Sequence, residues 1–342
     1  MKRILLAALL SAGLSAAAFG QTVIKFAHDN REDILENPAH AFAGTFKSIV
    51  EAESNGQILV EMYPMNQLGS DREHLSMLRK GIIQATLTSS GAMGDSYPRM
   101  ELIDLPFAFN SSAAAYRVWD GPFGDALAAD MEDTLKDIKV LGFPDSGGFY
   151  SFTNSKRPIT KLEDFEGIRL RTMKVPAQQV MVNSIGAQAY PMSWGELYTG
   201  LQRGMVDGQM NPLSTISVAK LYETQKYLTV TNHLFTPYVF SMNKKLYDSI
   251  NEEEKRIIAR ATRAATVAGR GVALAIENSK TKGLPYLAKR MKTHTLSQKE
   301  RERMRAVSQP AVKKMLEEEG DNNMKQLLSV YLSEINKANA QY

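Results

Sequence analysis

Arg171 stands in the run Ile168-Arg169-Leu170-Arg171-Thr172, where strand alternation puts Arg169 and Arg171 on one face and Leu170 on the other. A guanidinium presents a planar fork of donors that grips a carboxylate through two parallel hydrogen bonds, so this strand can capture an organic acid. An arginine pair also suits a solvated edge strand. Downstream, Val206-Asp207-Gly208-Gln209-Met210-Asn211-Pro212 reads as a short strand entering a polar turn, which places Asn211 at a strand's carboxyl end. Its amide both donates and accepts, enough to orient an oxygen-rich ligand. Asp207 reads as a group that satisfies nearby backbone.

Other chemistries find less support. The five histidines, His28, His40, His74, His233 and His294, lack metal-ligand spacing, so no metal is expected. Asp145-Ser146-Gly147-Gly148 resembles the nucleophile segment of chymotrypsin-like proteases, but that chemistry needs a base histidine, an orienting aspartate and a β-barrel. No Gly-x-Ser-x-Gly elbow, phosphate loop or dinucleotide fingerprint occurs, so neither a catalytic residue nor a cofactor is expected. A secreted α/β hydrolase or lyase built on Ser146 or His233 is the alternative to a binding protein.

The elements that would position these residues alternate between short β-like runs and helix-length segments, which predicts an α/β architecture. Strands are expected at Val23–Ala27, Ile58–Met62, Ala85–Thr88, Ile138–Gly142, Tyr150–Thr153, Ile168–Thr172, Ala187–Tyr190 and Thr236–Met242. Helices are expected at Pro38–Ala52, Asp71–Arg79, Val175–Ile185 and Ser193–Arg203, with one or two more from Ala113 to Lys136 around Gly121-Pro122. Ser70 with Glu73, and Ser193 with Glu196, have capping-box spacing, in which the serine accepts from the N3 amide and the glutamate reaches back. Ser89-Ser90-Gly91 forms a polar turn after a strand, and His28-Asp29-Asn30 follows the first strand. Such carboxyl ends are where open α/β sheets bind ligands. The stretch from Glu252 to about Lys282 reads as one helix of roughly 46 Å at 1.5 Å per residue, long enough to brace two lobes.

Residues 1–20 have the pattern of a cleaved signal peptide: Lys2 and Arg3, an apolar stretch from Ile4 to Leu14, and small residues at Ala18 and Gly20. The chain has no cysteine, so an exported product must be held by packing alone, without disulfides or a lipid-modified cysteine. The formal charge of +4 falls to +4 − 2 = +2 once Lys2 and Arg3 are removed. Basic and acidic residues are interspersed, which disfavours nucleic acid as a partner. Two lobes are expected, the first at 21–147 plus 236–270 and the second at 148–235 plus 271–342, in a monomeric protein.

The run from Glu166 to Pro212, continued by Leu221-Tyr-Glu-Thr-Gln-Lys-Tyr-Leu-Thr-Val-Thr-Asn-His-Leu-Phe235, resembles the DctP-type solute-binding proteins of tripartite ATP-independent periplasmic (TRAP) transporters. Gln67-Leu-Gly-Ser-Asp-Arg-Glu73 and Leu105-Pro-Phe-Ala-Phe109 agree, so the resemblance covers nearly the whole mature chain. It implies a two-lobed periplasmic binding protein fold, an organic acid ligand and the TRAP membrane subunits as partners. It assigns the carboxylate-binding arginine to Arg171, a ligand-contacting asparagine to Asn211 and an aromatic wall to Trp194. Ser89 and Ser90 map to the first-lobe strand end, His233 to a position near the cleft, and Glu73, His28 and Phe235 join the candidate contacts.

Many relatives carry a further arginine about seven residues before the Arg157-Pro158-Ile159 element, where this chain has Tyr150. A missing second cation favours a monocarboxylate with a hydroxylated remainder, such as a sugar acid or hydroxy acid, over a dicarboxylate. An aromatic acid is the next choice, because Phe149, Tyr150, Trp194, Phe235 and Tyr238 offer stacking surfaces, although Phe235 and Tyr238 suit core or hinge packing equally. Receptors of ATP-driven importers share the architecture but not this motif run.

Overall fold

The computed structural model describes residues 21–342; the expected signal peptide lies outside them. Eleven strands run in chain order as β1 Thr22–Ala27, β2 Ile58–Tyr63, β3 Ala85–Thr88, β4 Ile138–Gly142, β5 Tyr150–Asn154, β6 Arg169–Thr172, β7 Gln188–Pro191, β8 Gly208–Pro212, β9 Tyr227–Val230, β10 Val239–Asn243 and β11 Lys292–Thr295. They form two mixed sheets with strand orders β2-β1-β3-β10-β4 and β11-β9-β5-β8-β6-β7. In the first, β1 is parallel to β2 and β3, while β10 returns antiparallel between β3 and β4. In the second, β6 is parallel to β7 and β8, and β5 is antiparallel to β8 and β9.

The first sheet buries Phe26 and Phe240 against Phe42 and Phe46 of the helix Pro38–Glu53, with Phe240 at 4.8–5.3 Å from the other three rings. The helix Glu252–Glu277 packs on the same helix. It opens on an Asn251–Glu254 capping box and stops at Asn278, so its 26 residues span about 39 Å, shorter than the sequence reading. Gly269 does not break it but lets it approach: a Cβ there would meet the Pro38 carbonyl oxygen at 3.0 Å. Its far side reaches the helix Leu213–Val218 beside the second sheet, so it touches both lobes.

The C-terminal helices divide between the lobes. Gln298–Glu319 packs on Pro176–Ser184 with the second sheet, but Asn322–Gln341 packs on the first-lobe helices Ser112–Trp119 and Pro122–Leu135. There Tyr331 stacks on Phe123 at 4.3 Å. A boundary that puts all of 271–342 in the second lobe therefore cuts through that packing.

Between the sheets, Asp145 pairs with Pro237 in an isolated bridge where the chain crosses twice. Asp145 Oδ1 accepts from the amides of Gly147 and Gly148, both 2.8 Å away, while Oδ2 accepts from the Tyr116 hydroxyl. Gly147 has φ +129° and a Cβ there would collide with Ser214 Oγ, so this turn requires glycine. The tetrapeptide is thus a crossover turn, with the Ser146 hydroxyl donating to the Thr236 carbonyl.

Candidate functional site

The two arginines of β6 have different surroundings. Arg169 is tied to the turn before β8: its guanidinium grips Asp207 at 2.7 Å and donates to the carbonyls of Gly204 and Met205. Burial pushes Asp207 up, but the bonds it accepts from the Arg169 side chain and amide outweigh this and hold it below the usual carboxylate range. Arg171, two residues on, is only 4% exposed. Its Nε donates to the Met192 carbonyl at 2.9 Å, and among the described residues it has no ion-pair partner within 4.0 Å. Burial lowers its pKa to about 10, so the guanidinium stays charged at neutral pH. A buried cation with open donors is built to meet an anion.

Arg171 points into the cleft between the lobes, which divides into three compartments. The smallest, of about 50 Å³, is lined by Arg171, Asn211, Tyr150, Trp194 and Ser89 together with Asp29 and Tyr238. It adjoins a compartment of about 410 Å³ that also contains Arg171, and another of about 250 Å³ toward Met65 and Tyr198. Asp29 and Trp194 line all three.

Each wall has a local cause. Trp194 is the first residue of the helix Trp194–Gln202, whose Ser193–Glu196 capping box fixes the entry and turns the indole to the cleft. Asn211 lies within β8, not in a turn after it, opposite Ser151 of β5. Its amide donates to Gln209, which donates to Thr153 Oγ1, which in turn donates to Gln225. This buried chain leaves one amide hydrogen and the carbonyl oxygen of Asn211 for a ligand. Tyr150 is held by a 2.9 Å contact with Thr236 Oγ1, and burial raises its pKa to about 12, so it is neutral.

Five expected contacts lie off the cleft. Ser90 is buried beside Asp104, just outside hydrogen-bond geometry, in the helical turn that Ser89 caps. Glu73 is exposed and spent on its capping box with Ser70. His28 is sealed within the first lobe against His40 at 3.1 Å, where burial pushes its pKa down to about 3. His233 is enclosed by Thr231 and stacked on Phe152 at 4.2 Å, likewise pushed down to about 3 by burial. Phe235 packs edge-on against Phe149, Phe109 and Tyr116.

The cleft also contains residues that sequence reasoning passed over. Asp29 and Asp71 face the compartment that holds Arg171, as do Arg72 and Lys174. His28-Asp29-Asn30 was expected to offer a polar contact, but the structure gives that place to Asp29 and Asn30, not His28. In the sequence Asp71 is marked only as the first residue of a capped helix. Its Oδ2 accepts from Ser89 Oγ at 2.6 Å, which links the end of β3 to that helix.

Known proteins are similar to this chain in sequence and in fold. The model of bacterial extracellular solute-binding protein family 7 (DctP) matches residues 32–319. A solute-binding protein of Verminephrobacter eiseniae is 35% identical over 219 residues, 64% of each chain. The C4-dicarboxylate-binding periplasmic protein of Rhodobacter capsulatus is 31% identical over 313 residues, 91% of this chain and 92% of the other. The crystal structure of a sugar acid binding protein from Advenella mimigardefordensis, in complex with galactonate, superposes with a TM-score of 0.85 at 32% identity, covering 93% of this chain and 99% of that one. With a two-lobed fold, an interlobe cleft and a family match over most of its length, the chain belongs to the family 7, DctP-type solute-binding proteins of TRAP transporters.

Proposed function

We propose that this chain is a periplasmic receptor, exported by cleavage of residues 1–20, that captures a sugar acid or hydroxy acid as a monocarboxylate and delivers it to TRAP membrane subunits. The observation that carries the reading is Arg171, a buried charged guanidinium whose terminal nitrogens have no ion-pair partner among the described residues. Asn211 orients the carboxylate beside it, and Trp194 and Tyr150 supply flat apolar walls for a sugar chain. The likeness to the galactonate-bound protein supports a hydroxylated ligand. Closure of the lobes would exclude water and strengthen the pairing with Arg171.

A dicarboxylate is the second reading, favoured by the Rhodobacter relative and by Arg72 and Lys174 in the wider compartment. A thermal-shift screen of the mature protein separates the two, because a ligand that binds only the folded state raises the melting temperature by mass action. Sugar acids are expected to give the largest shifts. A shift for succinate alone would select the dicarboxylate, and none with any carboxylate would defeat both.

A further inference from the structure

We propose that Asp29 and Asp71 select the part of the ligand beyond the carboxylate held at Arg171, favouring a chain of hydroxyl donors and rejecting a second carboxylate. The inference rests on the acid-receptor reading and deepens it. Both carboxylates line the compartment of about 410 Å³ that Arg171 also lines, so an acid held at Arg171 with the rest of its length in that compartment lies beside them. Arg171 is itself more than nine-tenths buried and unpaired at its terminal nitrogens, which makes this compartment a ligand site and not merely an acidic cluster.

The bonds that fix the two aspartates leave an oxygen free on each. Asp29 Oδ1 accepts from Asn30 Nδ2 at 2.7 Å and lies 3.5 Å from the Tyr238 hydroxyl, while Oδ2 has no partner among the described residues. Asp71 spends Oδ2 on Ser89 and leaves Oδ1 open. Neither forms an ion pair among the described residues, and burial holds both above the usual carboxylate range, with the Asp71 charge adding to the effect on Asp29. The open oxygens accept from the hydroxyls of a polyol chain, whereas a second ligand carboxylate set beside them would raise both groups further and require them to take up protons, which disfavours a diacid from neutral pH upward. The two nearby cations offset this little: Arg72 is engaged by Asp95, and Lys174 is exposed at the rim.

The test is calorimetry of the mature protein with length-matched pairs, galactonate against galactarate and erythronate against tartrate. Wild-type protein is expected to bind the aldonate of a pair at least about ten-fold tighter than the diacid. Asp29→Asn and Asp71→Asn, which keep side-chain size, are expected to close that ratio about ten-fold or more, with folding checked by thermal unfolding. Diacids bound as tightly as aldonates by the wild type, or a ratio unchanged in both folded variants, would overturn the proposal while leaving Arg171-dependent acid binding in place. Binding of every acid unaffected by Arg171→Ala, or no binding of any acid, would remove the receptor reading and this inference with it.

Discussion

Arg169 closes on Asp207 at 2.7 Å, and that pair leaves Arg171 as the β6 arginine open to a ligand. Although strand alternation puts both on one face, the turn before β8 supplies a carboxylate only to the first. Arg169→Ala is therefore expected to lower stability by about 1–3 kcal/mol, because it strips bonds from a buried carboxylate whose other cation, Lys156, is at 3.3 Å and exposed. Ligand affinity of the folded variant should change little. Chemical denaturation and calorimetry on the same samples check both parts; a large loss of affinity with unchanged stability would reverse the roles of the two arginines.

Asp104 carries the clearest pH dependence. It is fully buried, its Oδ1 accepts from Gln178 at 2.7 Å, and burial, with the neighbouring Glu101 charge, raises its pKa to about 7. A carboxyl whose folded pKa is raised stabilises the fold most when protonated, so its contribution is complete below about pH 4 and fades as pH rises through 7. Asp104→Asn cannot ionise. Its stability relative to wild type is expected to grow by roughly 2–4 kcal/mol between pH 4 and pH 8, measured by urea unfolding at each pH. A gap independent of pH would show that Asp104 does not titrate in this range.

The two tryptophans separate cleft from core. Trp194 lines every cleft compartment, whereas Trp119 is packed among Phe109, Phe123 and Tyr331. A bound ligand is expected to shift the intrinsic fluorescence, and Trp194→Phe to remove the shift while Trp119→Phe retains it. A shift that survives in Trp194→Phe would place the ligand away from this wall.

Much of this site was legible because its signals are local. The Ser70–Glu73 and Ser193–Glu196 capping boxes announce two helix starts, and the second positions Trp194. Apolar runs mark β3 and β4 correctly, since buried strands need little context. β9 and β11 were not anticipated: the exposed edge strand Lys292–Thr295 exists because it pairs with Tyr227–Val230, a partner more than sixty residues earlier. His28, His233 and Phe235 were drawn toward the cleft by their place in the chain, but their side chains turn into the lobes, a fact set by strand face and packing. The position of Asp29 is legible as part of His28-Asp29-Asn30 at the end of β1, but which of the three faces the cleft is not, and Asp71 reads only as a helix start because its environment is made where the lobes meet.

Calorimetry of wild-type, Arg171→Lys and Arg171→Ala proteins with the acid giving the largest thermal shift shows whether Arg171 holds the ligand's carboxylate. The lysine keeps the charge but loses the planar fork, so affinity should fall by about one to two decades. The alanine should lose about two to four decades, the range for removing one partner of a buried charge pair at ~3 to 5 kcal/mol. Equal affinity in all three proteins would show that the carboxylate is held elsewhere.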